Sequence, residues 1–252
     1  MGQLDGRVAI VTGGAKSLGL TFCRALAAQG ASIVVFDIVD GVAAADRIAK
    51  EFGVTTLAIT GDVSREDEVT KAVAAAIARF GRIDILVNNA AYFATIPIVP
   101  HTELATDEWD RVMEVNLRGP FLMAKHVTPH MSAAGYGKII NIGSATANKG
   151  IPNLLAYVSS KAAMLGFTRT LSREVGASGI CVNTLSPGLI ESESLLENPH
   201  HLAFQDRVIA TRALQRVSVP DDLVGALVFL ASPASDFMTG QTVVVDGGSV
   251  NI

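Results

Sequence analysis

Cysteine is scarce in this 252-residue chain: only Cys23 and Cys181 occur, each beside apolar neighbours such as Phe22 and Val182. Two such thiols make neither a disulfide framework nor a metal-ligand cluster, and they suit a reducing compartment. Long apolar runs are missing too. The longest, at 223–231, falls far short of the roughly 18 residues a membrane span requires. The first six residues carry Asp5 and are too short and polar for a secretory leader, and Gly6 stands where a myristoylation signal needs Ser or Thr. A cytoplasmic location without a membrane partner is expected. Clustered positive charge is also lacking: 20 Lys and Arg face 24 Asp and Glu, for a formal charge of −4, and no basic stripe could track a phosphate backbone. Nucleic acid is therefore not an expected partner, whereas a small molecule is.

What the chain has is length and apolar content. At 49% hydrophobic residues, it can bury about 70–75% of the surface its unfolded form exposes, enough for one large domain over 1–252. Short β-branched runs alternate with helical patterns from the start. Segments 7–12 (RVAIVT), 32–37 (SIVVFD), 54–60 (VTTLAIT), 83–88 (IDILVN), 138–144 (KIINIGS), 180–185 (ICVNTL) and 242–246 (TVVVD) read as strands, apolar on both faces. This pattern predicts an α/β doubly wound domain of Rossmann type: a seven-stranded, mainly parallel sheet with helices on both faces.

Helix ends are legible as well. Gly30 and Gly81 should stop two helices, and Ser64 with Asp67 resembles a capping box. Two long helices are expected over 108–134 and 153–177, although Gly119-Pro120 weakens the continuity of the first. The polar stretch 189–217, with Pro199 and His200-His201, is longer than an ordinary connection and reads as a substrate lid.

The first strand runs straight into Thr12-Gly13-Gly14-Ala15-Lys16-Ser17-Leu18-Gly19 and then a helix. Glycines there let the backbone approach a pyrophosphate, whose charge meets the helix N-terminus. Methyltransferases use similar loops, so this turn alone leaves the ligand open. Asp37, at the end of the second strand, is placed to accept hydrogen bonds from an adenosine ribose, unless it is only a strand-end turn residue. A carboxylate about 4 Å from a second phosphate costs roughly 4 kcal/mol at an effective dielectric near 20, which favours NAD over NADP. Lys16 pulls the other way, from a more solvated position.

Tyr157 and Lys161 stand four apart on a predicted helix and share a face. Ser144 ends the fifth strand, on the carboxyl edge where open α/β sheets bind ligands. Taken singly, the serine could cap a turn and the lysine could be a solvated charge.

Together with Asp62-Val63, Asn88-Asn89-Ala90-Ala91, Asn116, Pro187-Gly188 and Val245-Asp246-Gly247-Gly248, these motifs occur in an order that resembles the short-chain dehydrogenase/reductase family over essentially the whole chain. The resemblance implies a nicotinamide cofactor held by Gly13, Lys16, Ser17, Leu18 and Gly19, by Asp37, Ile38, Asp62 and Val63, and by Asn89, Ala90 and Ala91. The same cofactor would also be held by Tyr157, Lys161, Pro187, Gly188, Ile190 and Ser192. It also implies that Tyr157 exchanges the substrate proton, with Lys161 favouring the phenolate. Ser144 would bond the substrate oxygen, and Asn116 would position a water for relay through Lys161.

Three positions depart from the family pattern: Ser17 and Ala91 replace glycines, and Ser192 replaces a threonine. Tyr92-Phe93, Ala145-Thr146, Ile151-Pro152 and Leu154-Leu155 are expected to form an apolar wall suited to aryl or cyclic substrates. The segment 187–192 with Asn198-Pro199-His200 resembles family members acting on pyridoxal, and 121–125 with 237–241 resembles those acting on 1-phenylethanol. The expected activity is an NAD-dependent interconversion of a secondary alcohol, or cyclic hemiacetal, and its carbonyl. A homotetramer is implied by the family. Sugar dehydrogenases, 3-oxoacyl reductases and a non-catalytic nicotinamide-nucleotide sensor are the alternatives. The 3-oxoacyl reading is weakened by the lack of a visible Lys/Arg cluster near the lid.

Overall fold

The computed structural model describes residues 2–93, 95–196 and 205–250. Seven strands, β1 (Val8–Thr12), β2 (Ser32–Asp37), β3 (Thr56–Thr60), β4 (Ile85–Asn88), β5 (Gly137–Ile142), β6 (Ile180–Pro187) and β7 (Thr242–Val245), form one sheet in the order β3-β2-β1-β4-β5-β6-β7. Every neighbouring pair is parallel. Successive side chains on a strand point to opposite faces, so each strand feeds two cores. Ala9, Val11, Ile33 and Val35 pack under α1 (Ser17–Ala28), α2 (Val42–Phe52) and, later in the chain, α10 (Val224–Ala231), through Phe22, Leu26, Ile48 and Leu227. Val8, Ile10, Val34 and Phe36 face the other way, against Val69 and Val73 of α3 (Glu66–Phe80) and Met123 and Val127 of α5 (Gly119–Ala134). The strands are apolar throughout because both faces are covered.

Gly30 and Gly81 do end helices, at φ of 91° and 73°, in the left-handed region that a Cβ disfavours. The Ser64 cap does not form. α3 begins at Glu66 without a side-chain cap, and the Ser64 hydroxyl instead donates to Asp62 Oδ1 at 2.7 Å. Three acids in the first turn, Glu66, Asp67 and Glu68, complement the helix dipole in its place.

The first predicted long helix is interrupted. α4 (Thr106–Met113) passes through a π turn at Glu114–Arg118 into α5. The Gly119 N–H reaches back to the Glu114 carbonyl, and Pro120 next to it has no N–H to restore the α pattern. A Cβ on Gly119 would lie 2.8 Å from Val63 Cγ2, so this turn sits tight against the end of the β3 loop. The second long helix is α7 (Leu155–Val175), preceded by the short α6 (Thr146–Lys149). Within 189–217 the described helices are α8 (Glu193–Leu196) and α9 (Gln205–Ala210); Asn198, Pro199, His200 and His201 lie outside the described residues. No helix among the described residues is long and apolar enough to cross a membrane.

Candidate active site

Strand order reverses between β1 and β4, and the crevice beyond their carboxyl ends is where loops on the two sides part. Thr12 and Asn89 tie its floor together. The Thr12 hydroxyl accepts the Asn89 and Ala90 N–H groups, both at 3.0 Å, while Asn89 Nδ2 donates to the carbonyls of Thr12 at 2.9 Å and Gly13 at 3.2 Å. Gly13 turns at φ 64°, and a Cβ on Gly19 would fall 1.9 Å from the Gly13 carbonyl oxygen. The helix can begin directly against the loop only because Gly19 has no side chain. No side chain caps the start of α1, which leaves its first N–H groups for an anion.

Ser17, where a glycine was expected, keeps the glycine conformation at φ 51°. The residue type changed and the backbone did not, so its Cβ carries left-handed strain. Ser17→Gly is expected to raise unfolding free energy by about 1 kcal/mol, read from urea midpoints; an unchanged or lower midpoint would show that the serine hydroxyl compensates.

Asp37 is buried, and its two oxygens accept the N–H groups of Ala15 (2.9 Å) and Val39 (3.2 Å). It therefore serves as a turn residue and also shapes the glycine loop, with lone pairs left for a ribose. Lys16 is exposed, in keeping with its expected solvation. Asp62 is bridged by Arg111 Nη2 at 3.1 Å and by the Ser64 hydroxyl and N–H. Burial would raise that carboxyl, but the Ser64 and Arg111 hydrogen bonds outweigh it and hold Asp62 below the usual carboxylate range. Arg111 escaped the sequence reading, since nothing local links it to an acid 49 positions earlier.

Ser144, at the end of β5, and Tyr157 and Lys161, one turn apart on α7, meet in a buried cluster. Burial pushes the Tyr157 phenol up to about 12 against a Ser144 hydrogen bond that lowers it. Burial also draws the Lys161 ammonium down to about 8. Lys161 Nζ donates to the Ile142 carbonyl at 2.8 Å and sits 5.8 Å from the Tyr157 ring centroid. Desolvation thus penalises the charged form of each group in the protein alone. Phe93, a residue the sequence placed only in an apolar wall, stacks on Tyr157 with centroids 4.6 Å apart.

Asn116 lies one layer back, almost wholly buried on the π turn. Its Oδ1 accepts the Tyr92 N–H at 2.7 Å, and its Nδ2 donates to the Tyr92 carbonyl and to Ser160 Oγ, both at 3.2 Å. It holds the β4 loop against α7 and makes no bond to Lys161 among the described residues.

One cavity of about 930 Å³ joins these pieces; every residue singled out above for cofactor or catalysis lines it except Asn116. Tyr92, Phe93, Ala145, Thr146, Ile151, Pro152 and Leu154 form the apolar wall, whereas Leu155 is 48% exposed and outside it. Pro187-Gly188 and Val245-Asp246 prove to be one contact, since a Cβ on Gly188 would lie 2.8 Å from Asp246 Cβ. Beyond it Ile190 bridges to Ser218, and Arg212 Nη2 donates to the Leu189 carbonyl at 2.6 Å. The basic cluster that sequence distance hid also appears here: Lys149, Arg207 and Arg212 all line this end.

A parallel sheet with a switch-point crevice, an uncapped helix start behind a glycine cradle, and a buried Ser-Tyr-Lys cluster define the class of nicotinamide-nucleotide α/β oxidoreductases. The residues present fit such a nucleotide: the uncapped α1 N-terminus would receive its phosphates, and the buried Asp37 would accept hydrogen bonds from its adenosine ribose. A family model described as enoyl-(acyl carrier protein) reductase matches residues 13–250. The cis-4-hydroxycyclohexanecarboxylate dehydrogenase of Sinomonas cyclohexanicum is 36% identical, covering 96% of each chain. The galactitol 2-dehydrogenase of Agrobacterium fabrum is 37% identical, covering 98% of each. A solved structure from Sinorhizobium meliloti 1021, described as a candidate short-chain alcohol dehydrogenase, superposes with a TM-score of 0.91 at 32% identity, covering 98% of this chain and 97% of that one. The chain belongs to the short-chain dehydrogenase/reductase family, whose members use NAD or NADP.

Proposed function

We propose that this protein is an NAD-dependent dehydrogenase interconverting a secondary alcohol, or a cyclic hemiacetal, and its carbonyl on an aromatic or cyclic small molecule. One observation carries the reading: the buried Tyr157 hydroxyl, bonded by Ser144 and one turn from Lys161, opens into the same cavity as Asp37 and the glycine loop. The apolar wall and the ring alcohol acted on by the Sinomonas relative favour a ring substrate over an open-chain polyol. The segment 189–217 acts as the lid of a single domain, and the protein works in the cytoplasm as a homotetramer.

In this scheme the Ser144 hydroxyl donates to the substrate oxygen and holds it beside Tyr157. Tyr157 Oη takes the alcohol proton in oxidation and returns it in reduction. Lys161, fixed by the Ile142 carbonyl, places a cation beside the phenol, so that ionising the two together offsets part of the burial cost each bears alone. Asn116 acts through Tyr92, keeping the β4 loop and its aromatic wall in place. The nicotinamide supplies the two-electron hydride acceptor when bound.

The sign of the pH dependence follows. Oxidation needs the phenolate, so its kcat/KM should rise about tenfold per pH unit on the acid side of the dyad's apparent pKa. Reduction needs the phenol, so its kcat/KM should be flat there and fall above it. Parallel profiles in both directions would show that Tyr157 is not the proton carrier. The activity itself is read from NADH absorbance on a panel of ring and open-chain alcohols; nucleotide binding without turnover across that panel would favour the sensor.

Asp37 sets the nucleotide preference by repelling a second phosphate. Asp37→Ala is expected to lower the NAD-to-NADP ratio of kcat/KM at least about tenfold, a part of the full repulsion because water screens the site. An unchanged ratio would assign the choice to another group. Affinity for both nucleotides should fall somewhat, because the Ala15 N–H loses its acceptor.

A further inference from the structure

The cavity changes character away from Asp37. Three carboxylates line it, and two of them, Asp37 and Asp62, stand at the β2–β3 end. At the β6–β7 end Lys149, Arg207 and Arg212 line it together with Asp246, whose charge acts on Lys149 and Arg212. The fold brings these cations together through short links. Lys149 Nζ donates to Ser249 Oγ, which shares a second hydrogen bond with Thr211 Oγ1, and Thr211 directly follows α9, the helix that carries Arg207. The nearby acid is held through one oxygen: Asp246 Oδ1 accepts the Gly248 and Ser249 N–H groups, while its buried Oδ2 has no hydrogen-bond partner among the described residues and its charge acts on Lys149 and Arg212.

The three cations differ in what holds them. Arg212 is buried and spent on structure, donating to the carbonyls of Arg216 at 2.7 Å and Leu189 at 2.6 Å. Lys149 has only the neutral Ser249 hydroxyl as a hydrogen-bond partner, and burial draws its ammonium below the usual lysine value. Arg207 makes no hydrogen bond or ion pair among the described residues while lining the cavity with Val208. A guanidinium with no ion-pair partner among the described residues, and an ammonium whose acidic neighbour Asp246 is shared with Arg212, line the cavity that Tyr157 also lines and form a site for an anion.

Building on the dehydrogenase reading, we propose that the substrate carries a carboxylate across its ring from the reacting hydroxyl, and that Arg207 and Lys149 bind it. Arg207 offers the planar fork that matches a carboxylate, and Lys149 a point charge beside it. The apolar wall that lines the same cavity as this pair and Tyr157 would cover the ring. Arg212 acts as a positioning residue, tying the end of α9 to the Leu189 carbonyl.

The test compares 4-hydroxycyclohexanecarboxylate with its methyl ester, which differ in charge while keeping the same ring and hydroxyl, in the full-length protein with nicotinamide nucleotide. The acid should show at least about tenfold higher kcat/KM than the ester, one charge-assisted contact's worth. Arg207→Gln and Lys149→Gln should each reduce that ratio severalfold, mainly through KM for the acid, and Arg207→Lys should retain most of it. Calorimetric titration with cyclohexanecarboxylate and with its amide gives a readout free of turnover: the acid should bind more tightly, Arg207→Gln should reduce the difference severalfold, and combining it with Lys149→Gln should abolish it. Turnover of the ester or of other neutral alcohols without an acid preference overturns the carboxylate site and leaves the dehydrogenase standing. A ratio unmoved by either glutamine variant also overturns it. Absence of turnover on every alcohol, acid or neutral, overturns the dehydrogenase reading itself and this inference with it.

Discussion

Tyr157→Phe is expected to lower turnover at least about 10²-fold while leaving nucleotide affinity nearly intact. The substitution removes one oxygen and retains the ring, so the stack with Phe93 and the burial of α7 are preserved. What disappears is the group that exchanges the substrate proton, and positioned acid–base groups commonly supply 10²–10⁴ in rate. Ser144 keeps its place through Thr146, whose hydroxyl donates to Ser144 Oγ at 2.9 Å, so the substrate oxygen would still be held. Steady-state turnover and a nucleotide titration followed by the fluorescence of Trp109, the single tryptophan, separate the two effects. Activity within a few-fold of the parent would remove Tyr157 from the chemistry. A matching loss of nucleotide affinity would mean the hydroxyl organises the site without exchanging protons.

The second large effect concerns stability, far from the cavity. Asp84 precedes β4, has a side chain only 2% exposed, and accepts four hydrogen bonds: from Arg7 Nη1 at 2.8 Å, Arg82 Nε at 2.8 Å, Arg82 Nη2 at 2.5 Å and the Val8 N–H at 2.9 Å. It ties the start of β1 to the approach to β4, the pair whose carboxyl ends form the crevice. Asp84→Ala orphans the buried Val8 N–H and deprives two guanidiniums of their partner. Breaking a buried pair usually costs 3–5 kcal/mol, but both arginines are partly exposed and can regain water, so about 3 kcal/mol is expected. The urea midpoint measures it. A loss below about 1 kcal/mol would place this pair with ordinary surface ion pairs.

The strands and the glycine loop were readable from sequence for a simple reason: each depends on neighbours a few residues apart. An unbroken apolar run such as 32–37 marks a strand covered on both faces, and the structure places β2 on those same residues. The Ser64 cap failed because its hydroxyl had a better acceptor in Asp62, itself recruited by Arg111 from another helix. The π turn at Glu114–Arg118 ends against Gly119-Pro120, the pair that weakens helical continuity in the sequence, and the close approach of Gly119 to Val63 is a contact made across the fold.

The amino-acid order alone was enough for the order of the elements, the glycine cradle and the pairing of Tyr157 with Lys161 on one helical face, because backbone sterics and helical period act locally. The folded chain decided the rest: that Tyr157 and Lys161 are both desolvated, that Asn116 bonds the Tyr92 backbone and Ser160, and that Lys149, Arg207 and Arg212 line one cavity. Desolvation and charge depend on which distant segments surround a group, and that is settled only when the sheet brings its loops to a common edge.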